Sequence, residues 1–210
     1  MGKDSWSATR RRAGFGGTGR GGKRPQEIDV SGMQGMTLQE LESRIRGLDH
    51  EEMYIIDADG NIIAGYRGDD SSVSFYARDL FRDGATVTHN HPVGAEGYGG
   101  TFSFKDMLNF AASDWAEHRA TASGQGEMNY IARATSRTTA ADRRGLYTRI
   151  SNDMPSLNRQ MKAALAASSD KSATARRQIY TGILDRYYAT VLPQYNFEYV
   201  VRKNPYRYNR

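Results

Sequence analysis

The stretch from Thr88 to Asp106 constrains the chain more than any other. It reads Thr88-His89-Asn90-His91-Pro92, then a glycine-rich run to Thr101, then Ser103-Phe104-Lys105-Asp106. Ala85 to His89 has the composition of a strand, Pro92 ends regular structure behind it, and Ser103 with Asp106 three residues later has the form of a helix start. The segment therefore predicts strand, loop and helix in that order. In an extended backbone His89 and His91 share one face, and Asn90 points to the other. Asp106 falls at the third position of the helix that Ser103 would cap, where the helix dipole favours an ionised carboxylate. Two imidazoles and one carboxylate with a fourth position open match a catalytic zinc site, whereas a structural site is closed by four protein ligands. Bound Zn2+ would bring the pKa of a water toward about 7, so hydrolysis is the expected chemistry.

Hydrolysis also needs a proton carrier and a donor for the developing oxyanion. Glu51 and Glu52 both stand at the start of the apolar run Met53 to Ile56. Glu51 shares strand parity with Met53 and Ile55, which favours it over Glu52 for a side chain entering from the buried face. Ser103 lies one helical turn from Asp106 and can serve as helix cap and oxyanion donor together. The sequence contains no cysteine, which removes disulfides, thiolate metal sites and a thiol nucleophile. His50 and His118 have no partner in this pattern and are expected at the surface.

A length of 210 residues suits one domain with appendages. Residues 1 to 28 are rich in glycine and arginine and form a disordered basic tail in this reading; they carry the whole of the net charge of +5. Its Gly-rich fragment is no dinucleotide loop, because no strand precedes it and Pro25 follows. The tail suits nucleic acid as a partner through nonspecific phosphate contacts, or else a solubilising or targeting extension. No run is long and apolar enough for a membrane span, and the first residues lack the apolar core of a signal peptide. A cytoplasmic or phage-particle-associated protein is expected.

Residues 37 to 134 form the expected α/β domain. Thr37 and Glu40 make a capping-box pattern ahead of Leu38, Leu41, Ile45 and Leu48. Met53 to Ile56 and Ile62 to Ala64 flank the turn signal Asp59-Gly60-Asn61 and predict a hairpin. Val73, Phe75 and Tyr76 predict a further extended piece, Met107 to Trp115 an apolar helix face, and Met128 to Ala132 a strand. Residues 138 to 201 read as a helical extension with apolar faces at Leu157, Met161, Leu165 and at Ile179, Ile183, Leu184, Tyr187. Alternation at Tyr195, Phe197, Tyr199 and Val201 predicts a final strand, and residues 202 to 210 form a basic, Tyr-containing tail. The extension could cover a cleft, form an interface or pack on the sheet.

A glutamate at a strand start, then His-x-His-Pro, then Ser-x-x-Asp resembles the motif of the JAB/MPN (JAMM) metalloproteases. The wording around His89 is also similar to RadC-type proteins and to JAB-like domains of phage head-associated proteins. The resemblance covers roughly residues 37 to 134 and implies a mixed β-sheet flanked by helices. It also implies Zn2+ held by His89, His91 and Asp106, Glu51 (or Glu52) as general acid and base, and Ser103 supporting the tetrahedral intermediate. The implied substrate is a peptide or isopeptide bond of a peptide or protein. The stretch between His91 and Ser103 is a few residues longer than the family's usual spacing. A second reading on the same fold is a non-catalytic binding or assembly module, associated with a phage particle or nucleic acid. The literal string His89-Asn90-His91 is not an HNH nuclease motif, whose residues are dispersed over a ββα unit.

Overall fold

Two hydrophobic clusters divide the molecule according to strand parity. In β2 (Glu52–Ile56), Met53 and Ile55 join one cluster, and Tyr54 and Ile56 join the other. Every residue of this strand is buried, as expected for a strand covered on both faces. The computed structural model describes residues 24–93, 100–123 and 127–203. It is a mixed α/β architecture with a seven-stranded sheet and four α-helices.

The strands are β1 (Gln26–Ile28), β2, β3 (Ile62–Arg67), β4 (Thr86–His91), β5 (Glu117–Ala122), β6 (Met128–Ala134) and β7 (Phe197–Lys203), in the spatial order β1-β3-β2-β4-β5-β6-β7. Only β4 and β5 pair in parallel; the other neighbours are antiparallel. That parallel pair needs a crossover, and α2 (Phe104–Ala112) supplies it. α1 (Leu38–Ile45) packs Leu41 and Ile45 into the smaller cluster with Tyr54, Ile56 and Ile62. On the opposite face lie α2, α3 (Ala140–Ala167) and α4 (Ala173–Val191), around Phe110, Leu146, Ile150, Met161, Leu184 and Tyr188. Thr37 and Glu40 close the expected capping box on α1. Asp57 accepts main-chain N–H bonds from Asp59 and Asn61 in the β2–β3 turn, where Gly60 takes φ +89°.

Several sequence expectations need correction. The sheet begins inside the segment read as a tail, since Gln26 pairs with Arg67; residues 1–23 lie outside the described residues. The run Val73 to Tyr76 is not a strand, although Val73 and Phe75 are buried. Its chain passes instead into a 3-10 turn at Ala77–Phe81 that puts Leu80 in the core. Helix α2 ends at Ala112, so Trp115 reaches the core from the following loop. The extension buries the expected Leu184 together with Tyr188 and Val191, while Ile183 and Tyr187 pack against the same cluster only partly buried. The final strand forms along β6 but runs to Lys203, and residues 204–210 lie outside the described residues. Among the described residues no helix is long and apolar enough to cross a membrane.

Candidate metal centre

β4 carries both histidines to its last residues. Val87, His89 and His91 face the α2 side of the sheet, and Thr88 and Asn90 face α1. The His89 Nε2 and His91 Nε2 atoms are 2.9 Å apart. Asp106 Oδ2 lies 3.7 Å from the first and 3.4 Å from the second. Donors bonded at about 2 Å in a tetrahedral set lie about 3.3 Å from one another. The three groups thus fit a single small cation, and they form the one such cluster found among the described residues.

Asp106 and His91 are each aimed by a further contact, whereas His89 Nδ1 is buried with no hydrogen-bond partner among the described residues. Ser103 caps α2 by accepting the Asp106 N–H at 3.2 Å, and Asp106 Oδ2 accepts the Ser103 N–H at 2.7 Å. The capping box therefore fixes the oxygen that faces the histidines. His91 Nδ1 lies 2.8 Å from the Gly100 carbonyl. Donation from Nδ1 leaves the Nε2 lone pair for a metal, the usual arrangement behind a ligating imidazole. Next to Gly100, the Thr101 hydroxyl bonds the Tyr199 hydroxyl at 2.7 Å, and Tyr199 bonds Asp185 of α4. The C-terminal helix and final strand thereby tether the segment that holds His91.

Between the two glutamates the geometry discriminates. Glu52 turns away from the histidines and bonds Arg67 at 2.9 Å, the Tyr54 hydroxyl at 2.8 Å and His50 at 3.1 Å. Glu51 is 9% exposed and lines the same cavity as His89, His91 and Asp106. Asn90 holds this stretch from the opposite face: its Oδ1 accepts the Glu52 N–H at 2.7 Å and its Nδ2 donates to the His50 carbonyl at 2.8 Å. The main chain of Glu51 itself is held by Asp69 and Gly68.

Burial raises the pKa of Glu51, and the nearby imidazoles only partly oppose this. Burial works against the charge of His91, yet Asp106 and Glu51 outweigh it and push the imidazole up to about 9. Asp106 also loses solvation, but His89 and His91 hold it well below the usual carboxylate range.

A cavity of about 240 Å³ opens onto these donors. Ser103 and Lys105 stand at its polar end, and Phe75, Phe102, Trp115, Met161 and Leu184 form apolar walls. Sequence reasoning missed His118. It is 2% exposed, not a surface residue, and stacks near His89 with ring centroids 4.9 Å apart, inside a box of Phe102, Phe110 and Trp115. Burial, followed by the charge of His89, holds its pKa well below 6.5, so it is neutral. Position was its only available signal: it pairs with Val87, two residues before His89, across a strand the sequence hides. Asn109 was also missed, although it follows Asp106 by three residues and so shares its helix face.

Comparison with protein-family models, with curated proteins and with solved structures finds no match for this chain.

Proposed function

We propose that the chain is a zinc-dependent hydrolase of a peptide or isopeptide bond, with a site of the JAB/MPN type. The observation that supports this reading best is the convergence of the His89, His91 and Asp106 donor atoms, 2.9 to 3.7 Å apart, in one cavity with the buried Glu51. His89, His91 and Asp106 would hold the ion. Bound there, zinc supplies Lewis acidity that activates a water and polarises a carbonyl.

The remaining work falls to the protein's own groups. Glu51 takes the proton from the attacking water and returns it to the leaving amine. Burial raises its pKa above the ordinary carboxylate value, the direction that suits a group that must both accept and release a proton. The Ser103 oxygen is occupied by the Asp106 N–H, so its hydroxyl proton is free to meet the developing oxyanion. The apolar walls exclude bulk water, which strengthens each of these interactions. Nucleic acid remains a proposed partner of the basic segment 1–23 alone, and that segment lies outside the described residues.

The test is turnover of quenched-fluorescent peptide and isopeptide libraries by zinc-loaded protein, side by side with Glu51→Gln. Cleavage by the wild type and its loss in a fully loaded Glu51→Gln protein are expected. Full loading with no cleavage of either bond type would favour the assembly-module reading of the same fold.

A further inference from the structure

The cavity is larger than the chemistry at its polar end requires, and its far walls are made by side chains that hardly meet solvent. Phe102 and Trp115 are fully buried, and Met161 and Leu184 are contributed by the two C-terminal helices. Its volume of about 240 Å³ exceeds the about 150 Å³ of an apolar cavity known to accept benzene. An aromatic ring therefore fits. Among the described residues the only carboxylates on its lining are Glu51 and Asp106, both at the metal end, and none of these residues places a counter-ion for a lysine or arginine tip in the apolar part.

Three buried polar atoms on this lining have no hydrogen-bond partner among the described residues, Nδ1 of His89, Nδ1 of His118 and Oδ1 of Asn109, and of these only the amide oxygen lies on α2. Asn109 is 4% exposed, lines the cavity, and its Oδ1 has no hydrogen-bond partner among the described residues. A buried amide without partners destabilises the fold, and such groups occur where a ligand completes them. Asn109 follows Asp106 by one turn on the same face of α2, so an occupant bonded to it lies beside the reacting centre.

We infer that this cavity is a specificity pocket for an aromatic substrate side chain that ends in a hydrogen-bonding group, tyrosine or tryptophan, bonded at its tip by Asn109. The inference rests on the peptide-hydrolase reading for its biological meaning, but the pocket itself can be tested without turnover. The C-terminal helices acquire a role in it: Met161 and Leu184 build the wall that selects the side chain.

The experiment is a titration of the full-length protein with p-cresol and with toluene, the side-chain analogues of tyrosine and phenylalanine, followed by saturation-transfer NMR with and without EDTA. The wild type binds p-cresol about fivefold or more tighter than toluene, the value of one added hydrogen bond, and EDTA changes neither. Asn109→Leu equalises the two and raises the melting temperature, because it removes a buried amide oxygen with no hydrogen-bond partner among the described residues. Met161→Trp fills the cavity and abolishes binding of both. The inference is overturned if p-cresol fails to bind, if its binding is lost on chelation, or if Asn109→Leu keeps the preference. Where Met161→Trp does not fold, the Asn109→Leu comparison decides alone. Loss of the hydrolase reading would appear separately, as zinc-loaded protein without turnover and with p-cresol binding intact.

Discussion

Acidification from about pH 8.5 to about pH 6.5 is expected to weaken zinc binding by about a hundredfold. The size follows from His91. Its Nε2 must give up a proton before it can bind a metal, and Asp106 and Glu51 outweigh burial to keep that proton on up to about pH 9. Below that value each pH unit costs about a factor of ten in apparent affinity for one displaced proton. Asp106 adds nothing to the slope, since its carboxylate is already ionised throughout this range. Competition against a zinc-binding dye at several pH values measures the effect directly. An affinity that is flat across the interval would refute the proposed competition between proton and metal at His91. The same pair makes a second, opposite statement about the metal-free protein. The raised imidazole contributes stability that is fully present below its ordinary value of 6.5 and is lost as the pH rises through about 9. The lowered carboxylate contributes stability that is present above 3.8 and is lost as the pH falls toward its depressed value. Metal-free protein should therefore be most stabilised by this pair between 3.8 and 6.5, and melting curves across pH check it.

Three further outcomes follow from named contacts. Glu51→Gln should lower turnover by about 10²- to 10⁴-fold, the usual value of a general base, with metal content unchanged by elemental analysis. Tyr199→Phe removes the hydroxyl that joins Thr101 to Asp185, and the loosened Gly100 carbonyl should weaken zinc affinity by about tenfold while circular dichroism stays unchanged. At Gly68 an added Cβ would lie 2.0 Å from the Ser72 carbonyl oxygen, and the same glycine bonds the Glu51 carbonyl. Gly68→Ala should cost about 1 to 3 kcal/mol in urea unfolding and reduce turnover more than metal loading.

The convergence of His89, His91 and Asp106, a cluster that could hold a metal ion, was legible because their spacing meets a strict local geometry: two residues apart on a strand, then the third position of a capped helix. Strand parity also separated Glu51 from Glu52. What stayed hidden was whatever depends on a polar residue being buried. The β5 sequence Glu117-His118-Arg119-Ala120-Thr121-Ala122 has no hydrophobic alternation, yet every residue of it is buried. Arg119 is satisfied there by Glu42 of α1 and by Glu117, and Thr121 accepts from Arg46. These partners lie up to 77 residues away, so no local pattern announces the strand. His118 was misplaced because nothing in its own strand announces burial; the box that shelters it, Phe102, Phe110 and Trp115, comes from the loop before α2, from α2 and from the loop after it. Val73 and Phe75 failed in the reverse sense: both are buried in the larger cluster, Phe75 against Tyr66 and Trp115, without ever joining a ladder.

The central claim is tested most directly by metal content. Full-length protein purified without a metal-affinity tag, alongside His89→Ala and Asp106→Ala, would be measured by elemental mass spectrometry after addition and removal of excess zinc. The account expects close to one zinc per chain in the wild type and its loss in both variants. Wild-type protein that retains no zinc, or variants that retain as much as the wild type, would contradict it.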